Sequence, residues 1–264
     1  MRPNLLTTLV PLLAACATAT RTPVDLASAS VVDLTHAFDR NTLYWPSSPG
    51  GFELKELSRG RTPGGYFYSA YAIAAPEHGG THLDAPVHFA ELGVSVDAIP
   101  VRQLIAPAVV IDVTSRASSD ADYRLTVDDL RTWESANRPV PRGAIVLLRT
   151  GWGKRYGNRK AYFGDDTPGA TENLHFPSFG ADAVRILVNE RRIGALGVDT
   201  PSIDYGQSRD FIVHQITAAA QVPGLENVAN LEALPVVGSW VVALPMKIAG
   251  GSGGPVRIVA LLPR

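Results

Sequence analysis

The chain has 264 residues, 24 Lys plus Arg against 25 Asp plus Glu, and a formal net charge of -1. It therefore offers no basic field for nucleic acid or for an acidic membrane surface. Its length, with no linker-like stretch to divide it, fits one large domain with an ample core, and the partner expected is a small molecule.

At the N-terminus Arg2, the apolar stretch 5–13 and the small residues Ala14 and Ala15 lead into Cys16, a pattern that resembles a bacterial lipoprotein signal. About a dozen apolar residues are too few to cross roughly 30 Å of hydrocarbon. Cys16 is the only cysteine. Lipidation would give it a role that an unpaired thiol in an oxidising compartment lacks. The alternative is an ordinary secretory signal, cleaved after Ala17-Thr18-Ala19, with Cys16 discarded. Residues 1–15 are thus expected to be a leader, 16–30 a tether rich in Ala, Thr and Ser, and 31–264 the folded domain. The product would be an exported lipoprotein, periplasmic or facing the outer membrane, touching the membrane only through its lipid anchor.

Residues 31–35 open the domain as a short strand, and residues 44–51 form a turn-rich loop with two exposed-looking aromatics, Tyr44 and Trp45. Residues 66–73 are dense in aromatic and β-favouring side chains and predict a strand. Residues 108–113 and 144–148 are apolar runs of strand length, expected to be buried on both faces. Thr126-Val127-Asp128-Asp129 resembles a capping box opening a helix that carries Leu130 and Trp133. Ser178 is placed to cap a second helix over residues 179–192, followed through Gly194 by a strand at 195–198. Residues 240–244 and 256–262 predict two more strands. The pattern gives an α/β class, a β-rich single domain with a mixed sheet.

The strand at 66–73 delivers His78-Gly79-Gly80-Thr81-His82-Leu83-Asp84-Ala85-Pro86-Val87-His88, which holds three of the six histidines in eleven residues. Two successive glycines cost about 1 kcal/mol each inside a helix, so the segment is extended with a turn, unlike the helical H-E-x-x-H of metalloproteases. His82 and Asp84 are two apart and share a face of an extended chain. His78 would lie about 13 Å from His82 in a fully extended chain, too far for a shared ion with bonds of about 2.1 Å. Gly79 and Gly80 must therefore curl the chain back, through positive φ or close backbone approach. Pro86 fixes the exit and presents His88 beside the ion without requiring it to bind. The mixed imidazole and carboxylate set suits Zn2+ or Mn2+ and does not choose between them.

The segment 250–254, Gly-Gly-Ser-Gly-Gly, matches G-x-S-x-G, but a nucleophile elbow needs a following helix and a later Asp and His. Pro255 and a β-rich tail follow instead, and the segment reads as a flexible connection between strands. His214, entering a helix with Glu226 twelve residues on, is by spacing alone as good a core histidine as a ligand. His175 could touch the site or the substrate. Asp199-Thr200-Pro201-Ser202 ends a strand, where α/β proteins often place functional groups, or else makes a plain turn.

His78 to His88 meets in full the signature H-x-G-T-H-x-D-x-P-x-H, and the chain is similar in this to the metal-dependent cyclase family, which includes bacterial kynurenine formamidases and isatin hydrolases. Asp33-Leu34-Thr35-His36, Trp45-Pro46, Leu148-Arg149-Thr150-Gly151-Trp152, Gly197-Val198-Asp199-Thr200-Pro201-Ser202, and His214 with Glu226-Asn227 extend the resemblance over residues 31–263. It implies a swivelling β/β/α fold, usually a homodimer with residues crossing between subunits near the pocket. It also implies His78, His82 and Asp84 as metal ligands, His214 and Glu226 completing the site or holding a second ion, His88 as base and Ser202 near the substrate. The expected chemistry is hydrolysis of an amide or lactone of a cyclic or aromatic substrate, with Tyr44, Trp45, Tyr66 and Phe67 as candidates to pack it. A cyclase or dehydratase could use the same base and ion. A lipid-anchored binding protein would need the ligands but not the proton-transfer group His88.

Overall fold

The computed structural model describes residues 28–262; Cys16, the leader and most of the tether lie outside them. Twelve strands run in chain order: β1 Ser30–Asp33, β2 Glu53–Arg61, β3 Phe67–Ala74, β4 His82–Asp84, β5 Ile105–Asp112, β6 Arg124–Leu125, β7 Ile145–Arg149, β8 Ser178–Phe179, β9 Ala195–Val198, β10 Gly224–Glu226, β11 Val237–Pro245 and β12 Gly253–Leu262. The α-helices are α1 Val101–Leu104, α2 Thr114–Ser119, α3 Val127–Asn137, α4 Arg159–Phe163, α5 Ala181–Ile186 and α6 Ile212–Ala219. None among the described residues is long and apolar enough to cross a membrane.

The main sheet has the order β1-β12-β11-β5-β7-β9-β10-β4, and a further pairing of β12 with β4 closes seven strands into a mixed barrel with β1 outside the ring. Within it β5, β7, β9 and β10 are parallel, while β4, β11 and β12 run antiparallel to their neighbours. The alternation of side chains along a strand explains why the central runs are apolar throughout. Ala108 and Val110 of β5 and Ile145 and Leu147 of β7 join one core, with Leu83, Leu225, Val241 and Ile258. Val109, Ile111, Val146 and Leu148 face the other way, into a core with Leu130 of α3, Ala183 and Val184 of α5 and Val213 of α6. The result is the single β-rich α/β domain with a mixed sheet that the sequence predicts.

The capping box forms: Asp129 N donates to Thr126 Oγ1 at 3.1 Å and Thr126 N donates to Asp129 Oδ2 at 2.9 Å. The helix predicted at 179–192 begins later. Ser178 and Phe179 make a short strand with β6, Gly180 occupies the N-cap, and residues Leu187–Arg191 continue α5 as a wider π turn. Ser178 does not cap it, because its hydroxyl donates to the carbonyls of Ser202 and Ile203 at 2.8 and 2.7 Å. Strand β2 has no counterpart among the predicted elements. It pairs with β3 in a separate two-stranded arm, whose Leu57, Tyr66 and Phe67 are more than 60% exposed.

Candidate metal centre

Strand β4 carries two of the expected ligands into the seam where the barrel closes. His82 pairs across from Glu226 of β10 and from Pro255 of β12, and Asp84 across from Gly224 and Gly253. The period of two puts His82 and Asp84 on one face, and His82 Nε2 lies 3.2 Å from Asp84 Oδ1. His78 is brought back to them by the two glycines. Gly80 has φ +57°, and a Cβ on Gly79 would sit 2.1 Å from the Tyr44 ring, so one glycine supplies the left-handed turn and the other the close approach. His78 Nδ1 then lies 2.6 Å from Asp84 Oδ1.

A second group comes from distant chain. His214 Nε2 lies 3.2 Å from both Asp84 Oδ2 and Glu226 Oε1, and His82 Nε2 lies 3.5 Å from Glu226 Oε2. Two ligand sets result, His78-His82-Asp84 and Asp84-His214-Glu226, each with its donor atoms within 4.8 Å of one another. They share Asp84, one oxygen turned to each set. His82 and His214 have an orienting acceptor on the ring nitrogen that faces away: Gly80 O takes His82 Nδ1–H at 2.9 Å, and Asp204 Oδ2 takes His214 Nδ1–H at 2.7 Å. This is the usual support of a metal-binding histidine.

The electrostatics ask for a cation. Burial alone would lower the pKa of His82, but Asp84 and Glu226 outweigh it and raise it to about 9. His214 is likewise raised well above the ordinary value despite burial, by Asp204, Asp84 and Glu226. Asp84 is held well below the carboxylate range against its own burial by His82 and His78. Buried carboxylates of this kind must be compensated, and a divalent ion would supply what protons on the histidines otherwise provide. The donor chemistry therefore fits a metal.

His88 is stacked on His78, with ring centroids 3.8 Å apart. Burial of the ring nitrogens pushes its pKa down to about 4, with Asp84 pulling the other way, so it is a neutral imidazole beside the candidate ligands. All six of these groups line one cavity of about 370 Å³, whose remaining wall includes Tyr44, Trp45, Phe89, Phe163, Phe211 and Ser202. Trp45 meets Phe163, Phe176 and Phe211 edge to face, with centroids 6.1 to 6.4 Å apart.

Three expectations are corrected. Tyr44 is buried, not exposed, because its ring packs over Gly79. Tyr66 and Phe67 stand on the β2–β3 arm and do not line the cavity. His175 is also absent from its wall and pairs instead with Asp122 at 2.8 Å. Asp199 serves as an anchor, accepting from Thr150 N, Thr150 Oγ1 and Gly151 N at 2.9, 2.6 and 2.9 Å. Asp204, which orients His214, has no sequence signal: it is ten residues away in a turn, in no recurrent spacing.

The "Putative cyclase" family profile matches residues 32–205. The chain belongs to the cyclase family. Isatin hydrolase of Roseibium aggregatum is 32% identical to this cyclase-family chain over 220 residues, covering 80% of it and 81% of the relative. Kynurenine formamidase of Salinibacter ruber is 26% identical, covering 87% and 96%. The solved structure of isatin hydrolase A from Ralstonia solanacearum superposes with a TM-score of 0.81 at 35% identity, covering 93% of this chain and all of the other. The cyclase-family chain is accordingly a metal-dependent hydrolase of amide carbon–nitrogen bonds.

Proposed function

We propose that this enzyme opens a neutral cyclic or aryl amide of isatin type, using Zn2+ or Mn2+, one ion or two, held by His78, His82, Asp84, His214 and Glu226. The observation that carries the choice of substrate is the cavity wall. Outside the ligands and His88 its lining is aromatic, aliphatic or uncharged, with no Lys or Arg. A flat aryl ring would pack against the wall of Trp45, Phe89 and Phe211, whereas the zwitterionic tail of a formylkynurenine would find no counter-charge and would pay for desolvation unpaired.

An ion held by these residues would supply Lewis acidity, lowering the pKa of water and polarising the scissile carbonyl. His88, neutral at its lowered pKa, takes the proton from the attacking water and returns it to the leaving nitrogen. Ser202 and Trp45 hold the substrate, the first through its hydroxyl and the second by packing. A protein that only bound its ligand would have no use for a neutral imidazole stacked on His78 beside the metal groups. The shared Asp84 supports two ions as well as one.

The proposal extends to a homodimer joined through the β2–β3 arm and to lipid anchoring at Cys16 of an exported chain. An isolated two-stranded hairpin is marginal in water, and this one presents Leu54, Leu57, Tyr66, Phe67 and Ile73 to solvent, which supports a partner surface. Light scattering of the purified protein and mass analysis of its mature N-terminus test these two parts.

For the reaction, the test is metal analysis combined with hydrolysis of isatin, N-formylkynurenine and simple lactones by the reconstituted enzyme. Isatin should be turned over fastest; a preference for N-formylkynurenine would refute the reading of the wall. His88→Ala should keep its metal and lose hydrolysis, while Asp84→Ala should lose both.

A further inference from the structure

Ser252 lies at the back of the metal centre, in the Gly-Gly-Ser-Gly-Gly segment that fails as a nucleophile elbow. Its hydroxyl is 2.8 Å from His78 Nε2 and donates to Glu77 Oε2 at 2.6 Å, and its backbone N–H donates to the same Glu77 oxygen at 3.0 Å. A carboxylate can only accept, so the one hydroxyl proton lies toward Glu77 and Ser252 Oγ is left to accept from His78 Nε2–H. His78 Nδ1 is the nitrogen that remains, and it faces Asp84 Oδ1 at 2.6 Å, where His82 Nε2 also points.

We propose that Glu77 and Ser252 are positioning residues that make His78 an Nδ1 ligand: they hold the proton on Nε2, aim the ring and, through the Glu77 charge, increase its basicity. His82 presents Nε2, as does His214, so His78 is the odd member of the set and needs its own device. This rests on His78 being a ligand, as proposed above.

The glycines around Ser252 follow from this contact. A Cβ on Gly251 would lie 2.6 Å from Glu77 Oε1, and one on Gly253 would lie 2.6 Å from His78 Cε1 and 2.5 Å from Leu83 O. Only glycine on both sides lets the chain bring the serine onto Glu77 and His78. At Gly254 the nearest atom would be 3.5 Å away, so that glycine is not required by space. The segment is thus a fitted part of the centre and not a flexible connection; Ala85 N donates to Ser252 O at 2.8 Å, tying it to the motif.

Ser252, His78 and Asp84 also have the connectivity of a Ser-His-Asp triad. Two observations separate them from one. Ser252 does not line the cavity, and its proton is engaged by Glu77 rather than offered to the imidazole.

The test is zinc affinity of the full chain, measured by competition with a chromophoric chelator, together with long-range 1H–15N correlation spectra of the zinc-loaded protein. In the wild type His78 should show a protonated Nε2 and a metal-shifted Nδ1. Ser252→Ala should bind zinc roughly 10–100-fold more weakly, with the His78 Nε2 resonance shifted by loss of its acceptor. Ser252→Thr, which keeps the hydroxyl, should restore most of the affinity. Glu77→Gln should fall between, since its amide oxygen still accepts, and these last two variants carry the test if Ser252→Ala does not fold. Unchanged zinc affinity in Ser252→Ala, with His78→Ala impaired, would overturn the relay alone. Wild-type affinity in His78→Ala would remove the ligand and the relay together. Covalent labelling of Ser252 by phenylmethanesulfonyl fluoride with loss of hydrolysis would overturn it in favour of a nucleophilic serine.

Discussion

Replacing Asp204 by Asn tests whether the metal centre depends on a residue that touches no ion. Asp204 Oδ1 accepts from Val213 N at 2.9 Å, and Oδ2 accepts from His214 N at 3.0 Å and from His214 Nδ1 at 2.7 Å. Both oxygens are therefore used, and both face N–H donors. Asn keeps one acceptor and turns an NH2 toward the other set, so at least one buried N–H loses its partner whichever way the amide lies. That costs about 1–3 kcal/mol. At roughly 2–4 °C per kcal/mol for a chain of this size, the expected fall in Tm of the metal-free protein is about 2–12 °C. Loss of the charged acceptor behind His214 should also weaken metal binding roughly 10–100-fold. Thermal unfolding monitored by circular dichroism and a chelator competition read the two effects separately. Asp204→Asn with an unchanged Tm and unchanged metal affinity would refute the role given to this hydrogen-bond set.

Further outcomes follow from the geometry around the motif. Gly79→Ala would drive a methyl to within 2.1 Å of the Tyr44 ring; it should cost about 1–3 kcal/mol of stability and weaken the metal site, as thermal and metal titrations would show. His82, with its pKa raised to about 9, and His214, raised well above its ordinary value, are protonated at pH 7 in the metal-free protein. Metal binding at pH 7 should release about two protons, detectable by calorimetry in buffers of different ionisation enthalpy, and affinity should rise with pH. In the metal-free protein the raised His82 pKa stabilises the fold below about pH 6.5 and that contribution is lost as pH rises to about 9, which denaturant titrations across that window would read. His88, pushed down to about 4, stays neutral at pH 5 to 6, so kcat of the metal-saturated enzyme should hold on the acid side; an acid limb near 6.5 would point to an unshifted histidine.

The parts of the molecule legible in the sequence are those whose cause is local. β5, β7 and β9 are apolar runs because both faces are buried, and the capping box at Thr126 names its own partners. His78, His82 and Asp84 lie within seven residues, so their parity and the glycines between them suffice to assemble a site. His214 and Glu226 are implied only by the family resemblance, since nothing within their own segments distinguishes a ligand from a core residue. The roles of Asp204, Glu77 and Ser252 are not legible there, because hydrogen bonds spanning 10 and 175 residues leave no periodic mark. β2 escaped for the opposite reason: it is exposed along nearly its whole length and shows no in-out alternation to betray a strand.

The three-residue strand β4 is the last stave of the barrel as well as the carrier of His82 and Asp84, and it pairs with residues 224–226 of β10 and 253–255 of β12. A growing chain cannot assemble the centre until almost all of it has been synthesised, and the ligands from residues 78 to 226 meet only when the cylinder shuts. An ion held there would act as a rivet across the seam, tying β4 to β10 through His82, Asp84 and Glu226, so bound metal should slow unfolding.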